Sequence, residues 1–134
     1  MKVLVTEYLR IDLDSEQWEC RACNRVHGPA RENYKKFMLI HDRNPQEVHR
    51  PLLDPARYRF NFAPDPNVCV IYEFYCAECG TLVEAEYTVP GHMPIHDIEL
   101  DIDALKRQWA DREELVIGGE AADNRHPANC GHHH

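Results

Sequence analysis

The stretch Val68-Cys69-Val70-Ile71-Tyr72-Glu73-Phe74-Tyr75-Cys76-Ala77-Glu78-Cys79-Gly80-Thr81-Leu82-Val83-Glu84-Ala85-Glu86-Tyr87 decides the fold. Its first eight residues are β-branched or aromatic apart from Cys69 and Glu73, a composition that suits a pleated sheet. Alternation places Val68, Val70, Tyr72 and Phe74 on one face, and Cys69, Ile71, Glu73 and Tyr75 on the other. A partner strand is expected from Thr81 to Val89, carrying Leu82, Val83, Ala85, Tyr87 and Val89. Cys76-Ala77-Glu78-Cys79 joins the two strands and sets two thiols across one tight turn. Gly80 follows directly, as in a knuckle. The unit reads as a zinc-ribbon hairpin.

A second pair, Cys20-Arg21-Ala22-Cys23, has the same spacing. Two such turns facing each other supply four soft ligands at the corners of a tetrahedron, the arrangement of a structural zinc site. Fifty-two residues lie between Cys23 and Cys76, so the site would clamp a long loop rather than close a short finger. Cys20, Cys23, Cys76 and Cys79 are therefore the candidate metal ligands. Iron in the same tetrahedron, a redox pair and unrelated thiols are the other readings of the two motifs. Redox use prefers a helix after the motif, whereas Thr81 onward reads as strand. Cys69 lies inside a strand and reads as a packed thiol. Cys130 is remote from the ribbon.

Outward from the motifs the chain is a succession of short pieces. Val3, Val5, Leu9, Ile11 and Leu13 suggest one or two strands or an extended arm over residues 1–14. Trp18 is expected to pack over the metal site. Arg21, Arg25 and Arg31 are expected around the first knuckle, offsetting the dianion that zinc and four thiolates make. Val26-His27 can return as a strand, Arg31–Lys36 suggests a short helix or turn, and Phe37–Ile40 a strand or buried segment. Pro45 opens a helical turn through Val48. Residues 42–66 are mostly connection, with Arg43, Arg50, Arg57 and Arg59 interleaved with Tyr58, Phe60 and Phe62, and read as a segment that lies against another protein. A helix is expected from about 101 to 112, with Ile102, Leu105 and Trp109 on one stripe. Residues 15–117 form the ribbon-like domain, and 118–134 a polar tail. The fold class is small mixed α+β, mainly β.

The chain has 134 residues, nine prolines, six cysteines and a formal net charge of -8. Its modest core is of the size that a bound metal helps to stabilise. The acidic balance argues against a nucleic-acid partner, which needs positive charge opposite phosphates. No run is long enough for a membrane span, and no apolar leader is read at the N-terminus. Metal-bound thiolates in a reducing cytoplasm fit this composition.

No independent catalytic set is read. Four thiolates fill zinc's shell and leave no place for an activated water. No glycine-rich phosphate loop follows a strand. His41, His49, His92 and His96 have acidic neighbours in Asp42, Glu47 and Asp97, but such pairs are frequent in an acidic chain. Pro94 between His92 and His96 gives no helical register for a second metal site.

Five segments together resemble a known family: Cys20–Cys23, Ala30-Arg31-Glu32-Asn33-Tyr34-Lys35, Asp42-Arg43-Asn44-Pro45-Gln46-Glu47-Val48-His49, Glu73–Leu82 and Asp101-Ile102-Asp103. They look like the small gamma-type subunits of acetone carboxylase and its relatives, the acetophenone-type members in particular, over about residues 15–110. The resemblance implies an accessory, zinc-binding subunit of an ATP-dependent ketone carboxylase, with Cys20, Cys23, Cys76 and Cys79 as ligands. It implies large hydantoinase-like partner subunits that use ATP and a divalent metal ion and carry the chemistry. For acetophenone-type members that chemistry joins acetophenone and bicarbonate into benzoylacetate. The alternatives from the residues alone are a free-standing zinc ribbon that binds protein or nucleic acid, and a thiol oxidoreductase.

Overall fold

A computed structural model describes residues 1–112. Two antiparallel sheets are built from hairpins. The first has strand order β1-β2-β3-β4, with β1 Lys2–Leu4, β2 Leu9–Asp12, β3 Gln17–Cys20 and β4 Val26–Pro29. The second has order β5-β6-β7, with β5 Leu39–Arg43, β6 Val70–Tyr75 and β7 Leu82–Thr88. The first C-x-x-C joins β3 to β4, and the second joins β6 to β7. The small, mainly β, ribbon-like fold read from the sequence is the one observed.

Residues 2–12 are not a free arm. Val3 pairs with Ile11, and Ile11 with Trp18, so the N-terminal hairpin is continuous with the first ribbon hairpin. Val3, Leu9, Ile11 and Leu13 point into the core beside Trp18, Ala30, Tyr34 and Met38. Their alternation with exposed or half-exposed residues is what one buried sheet face produces. Phe74 reaches this cluster from the second sheet, with Tyr72 and Val83 packed around it.

Helix α2 spans Ile102–Trp109. Asp101 caps it by accepting from the Ala104 amide at 2.9 Å. The expected stripe closes the core: Ile102 is buried, with Leu105 and Trp109 packed against the cluster. Arg31 and Lys106 both reach Glu16, at 2.7 Å and 2.8 Å, and Arg31 also reaches Asp103, so the helix is tied to the β2–β3 turn. A 3-10 turn at Tyr34–Phe37 and a single helical turn α1 at Pro45–Val48 are each capped by an asparagine side chain, Asn33 and Asn44. Leu39 and Ile40 fall on β5 but are exposed, unlike a buried segment.

The residue-35 region holds the second sheet to the chain that follows it. The Lys35 ammonium, 1% exposed, donates to Glu86 at 2.5 Å and to the Ile95 carbonyl at 2.9 Å, with Asp97 at 3.4 Å. Glu86 in turn accepts from the Ile95 amide. A buried charge is tolerated only when paired in this way.

Candidate metal centre

Each knuckle is built by the same local rule. The Cys20 amide donates to the Arg25 carbonyl, and the Cys76 amide to the Thr81 carbonyl, five residues on in each case. The amides of Asn24 and Gly80 close the turn back onto the Cys20 and Cys76 carbonyls. Both closing residues have positive φ, 67° at Asn24 and 72° at Gly80. Asparagine and glycine are the residues that enter this region at least cost. The register slips between Trp18 and Glu19 in one hairpin and between Phe74 and Tyr75 in the other, just before the first cysteine of each pair. Such a bulge adds twist and re-aims the residues beside it.

Trp18 and Phe74 occupy matching places, two residues before Cys20 and Cys76, and both are fully buried. Trp18 is part of the buried core. Its ring meets Tyr34 edge-on at 5.6 Å, and its Nε1 donates to the Glu32 carbonyl at 2.9 Å. The pattern Trp18-x-Cys-x-x-Cys-Asn24 and Phe74-x-Cys-x-x-Cys-Gly80 was therefore present in the sequence as a degenerate repeat. Its aromatic member packs in the core.

The two knuckles meet. Sγ of Cys20 lies 3.8 Å from Sγ of Cys79, and Sγ of Cys23 lies 3.7 Å from Sγ of Cys76. All four sulfurs lie within 4.8 Å of one another. Zinc–sulfur bonds of about 2.3 Å put the corners of a tetrahedron about 3.8 Å apart, so the group is shaped to hold a metal such as zinc. The four thiols are free, not joined in disulfides. Among the described residues this is the group of metal-ligating side chains that comes together; His92, His96 and Asp97 do not form a second one. His49 Nε2 instead meets the Tyr87 hydroxyl at 2.7 Å, and His92 Nδ1 the Met93 carbonyl at 2.6 Å. Cys69 lies just before β6, which begins at Val70, rather than inside the strand; it is half-buried and apart from the four, and Cys130 lies outside the described residues.

The thiols differ in environment. Cys20 and Cys76 are buried, Cys23 is half-buried and Cys79 is exposed. The Thr81 hydroxyl, 3.1 Å from Cys79 Sγ, and the Thr81 amide draw that thiol down to about 6. The Arg25 amide favours the Cys23 thiolate, but burial and the neighbouring sulfurs of Cys76, Cys20 and Cys79 outweigh it and push Cys23 up to about 12. Burial likewise pushes Cys20 up. Four thiolates at this spacing repel one another, and a cation among them removes that repulsion.

The expected arginine ring is only partly observed. Arg21 donates to the Thr6 carbonyl at 2.8 Å and braces the knuckle against the β1–β2 turn. Arg31 is engaged with Glu16 and Asp103, away from the thiols. Arg10, singled out by no motif, takes its place: it bonds Asn24 Oδ1 at 2.8 Å and pairs across the strands with the buried Glu19 at 2.7 Å.

The acetone carboxylase gamma subunit family matches residues 3–110. The acetophenone carboxylase beta subunit of Aromatoleum aromaticum is 45% identical over 105 residues, covering 78% of this chain and 79% of that protein. The acetone carboxylase gamma subunit of Xanthobacter autotrophicus is 32% identical over 97 residues, covering 71% of this chain and 54% of that protein.

Proposed function

This chain belongs to the acetone carboxylase gamma subunit family, and on that premise we propose that it is a zinc-binding accessory subunit of a heteromeric, ATP-dependent ketone carboxylase. Larger hydantoinase-like subunits carry the chemistry, with ATP and a divalent metal ion. Acetophenone and bicarbonate are the proposed substrates and benzoylacetate the product. The 45% identity to an acetophenone carboxylase subunit favours the aromatic ketone over acetone.

The observation that carries the reading is the four-thiol group with its 3.7 Å and 3.8 Å cross-knuckle spacings. Cys20, Cys23, Cys76 and Cys79 would all be ligands, which fills a tetrahedral shell and leaves no position for water or substrate. The metal's part is then to supply positive charge that lets four thiolates sit together. Cys20 and Cys23 hold the first sheet, Cys76 and Cys79 the second, and the chain between them is fixed as a consequence.

Two measurements test this. Metal analysis of the purified chain should find one zinc per chain, and Cys76→Ser should lower that content; an unchanged stoichiometry removes Cys76 from the ligand set. The large subunits should lose assembly or ketone-dependent ATP turnover when purified without this chain. Full turnover and intact assembly in its absence would overturn the accessory role.

A further inference from the structure

The end of α1 and the chain after it leave an apolar surface that nothing in the described residues covers. Leu52 is 92% exposed, Phe60 74% and Phe62 94%. A cleft of 560 Å³ opens there, lined by Val48, His49, Leu52, Leu53 and Phe62, with Arg50 at the same place. Its volume is that of a small-molecule pocket. Its walls are not: a ligand in the cleft would cover one side of Leu52 and Phe62 and leave the rest in water. A protein surface covers both sides. Large apolar side chains as exposed as Leu52 and Phe62, together at one cleft, are the kind that become anchors when a partner desolvates them.

Charge narrows the partner. Residues 49–62 carry Arg50, Arg57 and Arg59 against a lone acid, Asp54, in a chain of net charge -8. The Arg57 and Arg59 guanidiniums lie over the rings of Tyr58 and Phe60, at 5.8 Å and 5.9 Å, so cation and apolar surface are presented together. The complementary face is apolar at its centre and acidic at its rim.

We infer that residues 48–63 are the docking face by which this subunit binds an acid-rimmed apolar patch on a larger carboxylase subunit. The inference rests on the function proposed above and adds where the contact is made and what chemistry recognises it. The segment is positioned through α1, whose Asn44 cap and buried Pro45 continue directly from β5 of the second ribbon sheet. Zinc and docking are thereby linked through one sheet.

The test measures binding of the full-length, zinc-loaded chain to the purified large-subunit assembly, with zinc content read in parallel. Leu52→Ser with Phe62→Ser should weaken binding at least about tenfold, as loss of two buried anchors does. Arg57→Glu with Arg59→Glu should weaken it and flatten its dependence on salt. Zinc content should stay at the wild-type level in both, since none of these side chains is buried in the fold. Leu4→Ser, an exposed apolar residue on β1, serves as the control and should bind as wild type. Wild-type affinity in both double variants would overturn the docking face while leaving the accessory role intact. Failure of the wild-type chain to bind the large subunits would remove the proposed function, and the inference with it. Salt-dependent binding of a single-stranded oligonucleotide that the arginine variants abolish, without binding to the large subunits, would assign the surface to nucleic acid instead.

Discussion

Asn24 and Gly80 hold the same place in the two knuckles, each following the second cysteine of its pair and each in the left-handed region. The two are not equivalent in support. Asn24 is held by Arg10 through its side chain, whereas nothing lies within 4 Å of a Cβ placed on Gly80. Substitution at Gly80 therefore tests torsion without steric clash. Gly80→Asn should fold and hold zinc as wild type. Gly80→Val should lose about 1–2 kcal/mol, the cost of a β-branched residue at positive φ. Thermal unfolding of the zinc-loaded chain measures both, and equal stabilities would show that the turn relaxes.

Lys35 and Glu86 form a buried pair that secures residues 94–97 against β7. Lys35→Ala leaves the Glu86 carboxylate buried without its cation and should cost about 3–5 kcal/mol in urea denaturation. Combining Lys35→Met with Glu86→Gln removes both charges and keeps most of the volume. That double variant should be more stable than Lys35→Ala alone. If it is less stable, the network contributes more than the pairing of two charges.

Gly28 faces the ring of Phe37. A Cβ at Gly28 would lie 2.6 Å from Phe37 Cζ, too close for any carbon contact. Gly28→Ala should destabilise by about 1–3 kcal/mol, the usual range for overpacking. Phe37→Leu in the same chain should recover part of the loss, and a double-mutant cycle by chemical denaturation reads the coupling. Additive losses would place the effect in the β3–β4 ladder instead.

His27 is buried on β4, with no hydrogen-bond partner at either ring nitrogen among the described residues. Burial, and then the nearby Arg25 charge, hold its pKa below the ordinary 6.5. The unfolded chain therefore takes up the proton first as pH falls. Stability is fully present above pH about 6.5 and declines as pH drops towards the lowered value. His27→Leu should remove that slope and, by replacing an unpartnered polar ring with an apolar group, leave stability at pH 7.5 unchanged or raised, with 7.5 a roughly neutral reference. Paired denaturation curves at several pH values decide it; parallel slopes would mean that other groups carry the acid sensitivity.

Much of the fold is legible in local sequence because its signals are local. The β6–β7 hairpin follows from β-branched and aromatic residues flanking a C-x-x-C-Gly turn. The turn at Pro45–Val48 follows from proline at its first position, and α2 from one apolar stripe behind an aspartate cap. The partners of Trp18 and Arg31 were not legible because proximity in sequence does not fix direction. Trp18 turns to Tyr34, which supplies an aromatic edge, and to a carbonyl that satisfies its N–H. Arg31 finds two carboxylates on other elements. Lys35 with Glu86, and Arg10 with Asn24, pair residues too far apart in the chain for any periodicity to reveal.

Local sequence accounts for an inventory of parts: two thiol knuckles, the strands beside them, a capped helix and a basic aromatic connection in an acidic chain. Spacing and side-chain type suffice for these because each depends on a few neighbouring residues. The packing of distant elements brings the two knuckles face to face with sulfurs 3.7 Å and 3.8 Å apart, and draws the N-terminal strands into the same core. The same packing leaves some apolar residues uncovered. Those outcomes depend on how two sheets and a helix share one interior, a competition among distant side chains for the same buried volume and the same hydrogen-bond partners.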